Sequence, residues 1–141
     1  MPKAKNLPIV RFHFTTSGVL LKNRKKLKQF ILNLFQREKK RFSELHYIFC
    51  PDTYLLNINK KYLKHNYYTD TITFDLSEQA NLSCGEIYIS IDRVRENARN
   101  FGSWMERELH RVMFHGALHL CGYKDKTKEQ SQLMRKMEEK Y

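Results

Sequence analysis

Four short segments of the chain carry the hydrophobic pattern of β-strands. They are rich in β-branched and aromatic residues and cover residues 9–14, 45–50, 69–74 and 85–90. A polar loop separates the last two segments, so antiparallel pairing between them is possible, although the loop length does not decide it. The pattern predicts one sheet of about four strands.

Two amphipathic helices are predicted in the first half of the chain. Between about residues 24 and 38, apolar residues recur at helical spacing opposite a basic face. A second helix follows Pro51, with Asp52 or Thr53 as its candidate cap and with a lysine-rich outer face.

Two more helices are predicted after residue 90. The first is short and basic, with Ser90 or Asp92 as its candidate cap. The second covers 106–120 and is apolar nearly all round, so we expect it to lie within the core.

The last predicted helix begins after Gly122. Thr127 and Gln130 form a possible capping box for it. Its charged residues are expected to face water, and its apolar residues are expected to face inward: Leu133, Met134 and Met137. The sum of the elements is an α+β fold with about four strands in one sheet and four to five helices.

A single domain spanning residues 1–141 is expected. The chain is long enough to bury a core, and it has no internal repeat and no linker rich in glycine, serine or proline. Three cysteines at wide, odd spacing argue against a disulfide framework and for a reducing compartment. No apolar run has the length of a signal peptide or a membrane span, so the sequence predicts a soluble, cytoplasmic protein.

The charge balance favours a polyanionic partner. Lysine and arginine number 26 against 15 aspartates and glutamates, a formal net charge of +11. Such a chain is expected to bind RNA, DNA or an acidic membrane surface, and charge alone does not choose among them. The basic stretches 22–28 and 36–41 would hold backbone phosphates, and the alternative for both is an ordinary solvated helix face.

The segment HGALHLCGYKD, residues 115–125, has the spacing of a metal site. On a helix, His115 and His119 are one turn and about 40° of rotation apart, so both rings project from one face. Gly122 permits a sharp turn off the helix, and Asp125 can then supply a carboxylate as third ligand. Three ligands leave a position open for water, which a catalytic ion activates.

Two other interpretations of this segment compete with a nuclease metal site. Histidines four residues apart also occur as structural residues bonded to backbone carbonyls, although Gly122 and Asp125 at fixed offsets favour a metal. The spacing also resembles the zinc-peptidase pattern HExxHxxGxxH, in which the glutamate is the general base. Gly116 stands at that position here and cannot take a proton, which counts against a peptidase.

The same segment resembles the HGxLHLxGYDH signature of the YbeY family, which are single-domain, metal-dependent endoribonucleases. Residues 69–74 (TDTITF) resemble the family's TDVLSF strand, 85–87 (GEI) resemble its GDI, and Asn59 and Tyr62 match its N..(Y/F) helix. The resemblance extends from about residue 57 to the C-terminus in the family's order. The HGxLHLxGY part is its most specific element.

The resemblance implies an α+β fold with one mixed sheet and a metal site at the end of a central buried helix. It implies one zinc ion, or another divalent transition metal, on His115 and His119, with single-stranded RNA as the substrate. Metal-activated water and basic residues are expected to assist phosphodiester cleavage, and the sequence leaves open whether water or the substrate's own 2′-hydroxyl attacks. It further implies a role in 16S ribosomal RNA processing and ribosome quality control. The ribosome or a ribosomal subunit is then the expected partner, and neither DNA nor a membrane is.

Two positions depart from the family pattern. Asp125 replaces the family's histidine and Lys124 its aspartate, and although aspartate is a competent zinc ligand, it makes the ion a weaker Lewis acid. The helix before TDTITF usually carries an arginine for the RNA chemistry, and Leu63 stands there. Arg111, one turn before His115, and Lys124 are candidate phosphate contacts in its place, with a solvated or salt-bridged charge as the alternative for each.

Two further residues lie near the motif. Glu108 shares the helical stripe of His115, where it either orients a ligand or pairs with the dipole at the helix start. Cys121 faces away from His119 by about 160° on a helix, so we expect it to pack in the core.

A metal-dependent endoribonuclease is the expected function. The alternatives are a zinc metallopeptidase-like hydrolase and a non-catalytic RNA- or ribosome-binding module. Turnover of a casein-type substrate would favour the first alternative, and RNA binding without zinc uptake would favour the second.

Overall fold

The computed structural model describes residues 7–19 and 21–141. Residues 1–6 and Leu20 lie outside the described part, and the expected single domain over 1–141 stays a prediction. Within the described residues, no helix is both long and apolar enough to cross a membrane.

A four-stranded sheet forms the centre of the described part of the chain. In the order β1-β2-β4-β3, its strands are β1 (Ile9–Phe14), β2 (Phe42–Cys50), β3 (Thr71–Asp75) and β4 (Ser83–Ser90). β1, β2 and β4 are parallel, and β3 runs antiparallel to β4. The sheet is therefore mixed, as expected, and the antiparallel pairing that the sequence left open is present.

Five helices accompany this sheet within the described residues: α1 (Arg24–Arg37), α2 (Asp52–Leu63), α3 (Ile91–Asn100), α4 (Met105–Leu120) and α5 (Lys128–Lys140). The Ser90 hydroxyl caps α3 by accepting a hydrogen bond from a main-chain N–H of the first turn, and Thr127 and Gln130 form the capping box of α5. Both caps are as predicted. The predicted cap of α2 is wrong, because Pro51 occupies the N-cap position. The Asp52 side chain instead accepts a hydrogen bond from the Ser90 hydroxyl.

The two faces of the sheet are covered unequally. The larger core lies on one face, where inward residues of β2 and β4, such as Tyr47 and Ile87, meet apolar residues of α1, α3, α4 and α5. A smaller cluster lies on the other face, where Leu55 and Ile58 of α2 pack against Ile72 of β3. The alternation of side chains along each strand separates these two clusters.

α4 is the central buried helix that the sequence predicts, with nine buried residues. It lies so close to β4 that a Cβ added at Gly116 would be 2.7 Å from Cγ2 of Ile87. The Tyr47 hydroxyl donates to the main-chain carbonyl of Met113 at 2.9 Å. These contacts fix α4 on the sheet and therefore fix the direction of its two histidines.

α5 packs against the core through Met134, which is 2% exposed. Two expectations for this helix are wrong. Leu133, expected to face inward, is 48% exposed. Glu138, one of the charged residues expected to face water, has a side chain only 7% exposed, because it lies one turn after Met134 on the buried face.

Candidate metal centre

The three predicted ligands meet where α4 ends. His115 and His119 lie in its last two turns, and the helix ends at Leu120, before Cys121 and Gly122. Gly122 has φ of 107°, a conformation that favours glycine, and it turns the chain off the helix. The loop that follows brings Asp125 to the two rings.

The donor atoms form a small triangle. Nε2 of His115 lies 3.0 Å from Nε2 of His119 and 3.2 Å from Oδ2 of Asp125, and the third side, from His119 Nε2 to Asp125 Oδ2, is 3.4 Å. A tetrahedral ion with bonds of about 2.1 Å separates its ligands by about 3.4 Å. The triangle therefore has nearly the dimensions of one face of a tetrahedral site.

Hydrogen bonds on the far side of each ring indicate which nitrogen carries the proton. Nδ1 of His115 faces Oε2 of Glu138, and Nδ1 of His119 faces the carbonyl oxygen of Tyr123 at 2.9 Å. A carboxylate and a carbonyl only accept, so each Nδ1 donates and each neutral ring presents a lone pair at Nε2. Two lone pairs and an oxygen of Asp125 then face one another, an arrangement that a cation stabilises.

The chemistry of the donors suits a divalent transition metal. Two imidazole nitrogens and a carboxylate oxygen are common zinc ligands. Among residues 7–19 and 21–141, His115, His119 and Asp125 form the one group of three potential ligands close enough to share an ion. The side chain of Asp125 is 40% exposed, so the site opens to solvent.

Glu138 is a residue of this site that sequence reasoning missed. It accepts the Nδ1–H of His115 and comes from α5, 23 residues away along the chain. The signal that would have found it is its helical spacing from Met134, since a residue four positions after a buried one shares its face.

Arg111 lies among carboxylates rather than in the open site. Its guanidinium binds Glu108 through two hydrogen bonds of 2.9 and 2.7 Å, donates to Glu138 at 3.0 Å and lies 3.5 Å from Asp70. These contacts agree with the salt-bridged alternative for Arg111, and a phosphate contact by this residue stays a prediction. Glu108 reaches the ligands through Arg111 and Glu138.

The remaining predicted positions lie outside the triangle and differ in exposure. Lys124 is exposed and adjoins Asp125 in the loop, and its contact with phosphate stays a prediction. Leu63 ends α2 and is 41% exposed. Cys121 is 6% exposed within the larger core, as predicted.

The two histidines differ in pKa. Burial disfavours a charged ring at His115, but the hydrogen bond and charge of Glu138, with the charge of Asp125, outweigh it and raise the pKa. Burial and the positive charge of His115 lower the pKa of His119. In the metal-free site, His115 is therefore the ring that takes up a proton.

Comparisons with known proteins identify one family. The family model described as "Endoribonuclease YbeY" matches residues 13–141. Relatives with that name include one from Cytophaga hutchinsonii, 48% identical over 84% of this chain and 83% of the relative, and one from Flavobacterium psychrophilum, 54% identical over 72% of each. The solution structure of a Thermotoga maritima protein matches with a TM-score of 0.60 and 29% identity, over 93% of this chain and 87% of that one.

Proposed function

This chain belongs to the YbeY endoribonuclease family, and from that premise we propose that it cleaves single-stranded regions of ribosomal RNA precursors at a zinc site formed by His115, His119 and Asp125. The observation that carries the proposal is the triangle of acceptor atoms at the end of α4, which a divalent cation would satisfy. Two imidazoles and one carboxylate with a further position left for water are a common ligand set of catalytic zinc.

The residues of the site contribute to cleavage in different ways. The ion, when bound, supplies Lewis acidity and activates water for phosphodiester cleavage. His115 and His119 hold it through Nε2, because their Nδ1 atoms are engaged elsewhere. Asp125 adds a negative charge that a third histidine would not. Lys124, exposed beside it, shares the charge that develops on the phosphate.

A basic surface beside the metal loop, residues 121–127 between α4 and α5, supports RNA as the substrate. Arg37, Lys39, Lys40 and Arg41 are exposed at the end of α1 and before β2. The same stretch touches the metal loop, because the hydroxyl of Tyr123 donates to Glu38 at 2.6 Å. A single strand of RNA bound along residues 37–41 therefore passes close to the site, and its binding is expected to weaken steeply with salt.

The setting we propose is the ribosome or a ribosomal subunit in the cytoplasm, with 16S ribosomal RNA processing and ribosome quality control as the processes served. The net charge of +11 and the resemblance of HGALHLCGYKD to the family signature support this setting. It is tested by co-sedimentation with ribosomal subunits at low and high salt. Sedimentation apart from the subunits at low salt would contradict it.

Replacement of both ligand histidines tests the proposed chemistry. In nuclease-free preparations, His115→Ala combined with His119→Ala should abolish zinc uptake and cleavage of a single-stranded ribosomal RNA fragment, while RNA binding stays nearly unchanged. The matched control is His110→Ala on the same helix, outside the triangle. Fluorescence anisotropy follows binding, and gel electrophoresis follows cleavage.

Two outcomes would contradict the proposal. Cleavage that persists in the double variant would show that the triangle does not carry the reaction. Wild-type protein that binds RNA but takes up no zinc and leaves the RNA intact would favour a non-catalytic binding module.

A further inference from the structure

Glu138 links the C-terminal helix to the metal centre. Its Oε2 accepts the Nδ1–H of His115, and its Oε1 accepts a hydrogen bond from Nη1 of Arg111 at 3.0 Å. The side chain is only 7% exposed. A buried carboxylate is costly unless its partners compensate for lost hydration, so these two partners account for its position.

Arg111 alone does not balance the charge of Glu138. The guanidinium already binds Glu108 through two hydrogen bonds and lies 3.5 Å from Asp70, so three carboxyl groups share one arginine. The second strong partner of Glu138 is His115. A cation on the far side of that ring would supply the positive charge that the cluster lacks.

We propose that Glu138 is a positioning residue for the metal site. It fixes His115 as the Nδ1–H tautomer and holds the ring so that Nε2 points towards His119 and Asp125. A carboxylate suits this role because it can only accept, and its charge makes the ring a better ligand. The inference rests on the proposed metal-dependent function.

Arg111 and Glu108 hold Glu138 in turn. The guanidinium is fixed on Glu108, one turn earlier on α4, and its remaining Nη1 donor is directed at Glu138. The chain of contacts from Glu108 to His115 therefore starts and ends on α4 and passes through α5.

The two ligand histidines are held in different ways. His119 donates to the carbonyl of Tyr123, four residues along the same segment, whereas His115 depends on a side chain from another helix. The packing of α5 on α4 therefore controls the orientation of one ligand and not of the other. Changes in α5 should weaken metal binding without removing any ligand.

Two adjacent glutamates on α5 allow a matched test. Glu138→Gln and Glu139→Gln each neutralise one carboxylate, but Glu139 is exposed. In competition with a chromophoric chelator, zinc affinity should fall about 10–100-fold in Glu138→Gln and stay unchanged in Glu139→Gln. The ¹⁵N shifts of the metal-free protein, at a pH where the ring is neutral, should show His115 as Nδ1–H in wild type and a mixture of tautomers in Glu138→Gln.

Three results would overturn the proposal. The first is equal zinc affinity in the two variants. The second is an Nε2–H tautomer of His115 in metal-free wild type, a measurement that needs no variant to fold. The third is a loss of thermal stability in Glu138→Gln with affinity and tautomer unchanged, which would limit Glu138 to docking α5. Wild-type protein that takes up no zinc would overturn the proposed function instead, and the tautomer measurement would still decide the role of Glu138.

Discussion

The Nε2 atoms of His115 and His119 lie 3.0 Å apart while the Nδ1 atom of each ring faces an acceptor. Two neutral rings held in this way direct lone pairs at each other, so a proton or a metal ion between them stabilises the pair. Burial opposes a charge on His115, but Glu138 outweighs it and raises the pKa above the ordinary value of 6.5. Metal and proton therefore compete for one site.

Zinc binding should release protons, and fewer of them as the pH rises. Because the pKa of His115 is raised, the ring keeps its proton to a higher pH than an ordinary histidine does and must lose that proton to bind zinc. His119, whose pKa is lowered, contributes little. Isothermal titration calorimetry in buffers of different ionisation enthalpy, between about pH 6 and pH 8, measures the number released.

The direction of this trend identifies the group that loses the proton. Release from His115 declines with pH, whereas release from water at the ion would grow with pH. A binding enthalpy that does not depend on the buffer even at about pH 6 would show that the ring is neutral in the metal-free protein and would contradict the raised pKa.

Asp125 should set both the affinity and the acidity of the site. Asp125→Ala removes a ligand. Zinc affinity should therefore fall by more than the roughly 10–100-fold that is typical when a residue hydrogen-bonded to a ligand is lost. Asp125→His restores three ligands without the negative charge, so the ion is a stronger Lewis acid and the pH midpoint of RNA cleavage should move down. Zinc content and pH–rate profiles measure the two effects. Unchanged affinity in Asp125→Ala would remove Asp125 from the ligand set.

The three proposed metal ligands can be predicted from their spacing in the sequence, whereas the position of Glu138 depends on tertiary packing. His115, His119 and Asp125 lie within eleven consecutive residues, so helix geometry and one glycine turn sufficed to bring them together. Glu138 reaches His115 only through the packing of α5 on α4, and that contact depends on the rotation of α5 about its axis. The same rotation explains why Leu133 is exposed while Met134 is buried.

The close approach of α4 to the sheet should make Gly116 intolerant of any side chain. A Cβ there would lie 2.7 and 2.8 Å from Cγ2 and Cδ1 of the fully buried Ile87. Overpacking costs about 1–3 kcal/mol, and the better helix propensity of alanine returns at most about 1 kcal/mol. Gly116→Ala should therefore lower the Tm in thermal unfolding.

A double-mutant cycle with Ile87→Ala checks the cause of this destabilisation. The smaller side chain removes the clashing atoms, so Gly116→Ala should cost much less in the Ile87→Ala background. An equal cost in both backgrounds would mean that contact with Ile87 is not responsible.

Glu38, at the end of α1, accepts hydrogen bonds from both the metal loop and the last residue of the sequence. The hydroxyls of Tyr123 and Tyr141 donate to its two carboxylate oxygens. Burial opposes ionisation of Glu38, but these two hydrogen bonds, with the charge of Lys140, outweigh it and lower the pKa below the ordinary value of 4.5. Because the carbonyl of the same Tyr123 orients His119, the contact also bears on the site.

Removal of either tyrosine hydroxyl should therefore reduce stability by about 1 kcal/mol, and only Tyr123→Phe should also reduce zinc affinity. Urea unfolding measures the change in stability, and zinc competition measures the change in affinity.

Since the folded pKa of Glu38 is lowered, its ionised form stabilises the protein above about pH 4.5, and this contribution is lost as the pH falls through the folded pKa. The Tm difference between wild type and Glu38→Gln should be largest near neutral pH and should shrink in acid, where the protonated carboxyl resembles the amide. Thermal unfolding at several pH values measures this Tm difference, with exposed Glu139→Gln as control. A Tm difference that stays constant down to strongly acidic pH would show that the ionised carboxylate of Glu38 does not stabilise the fold.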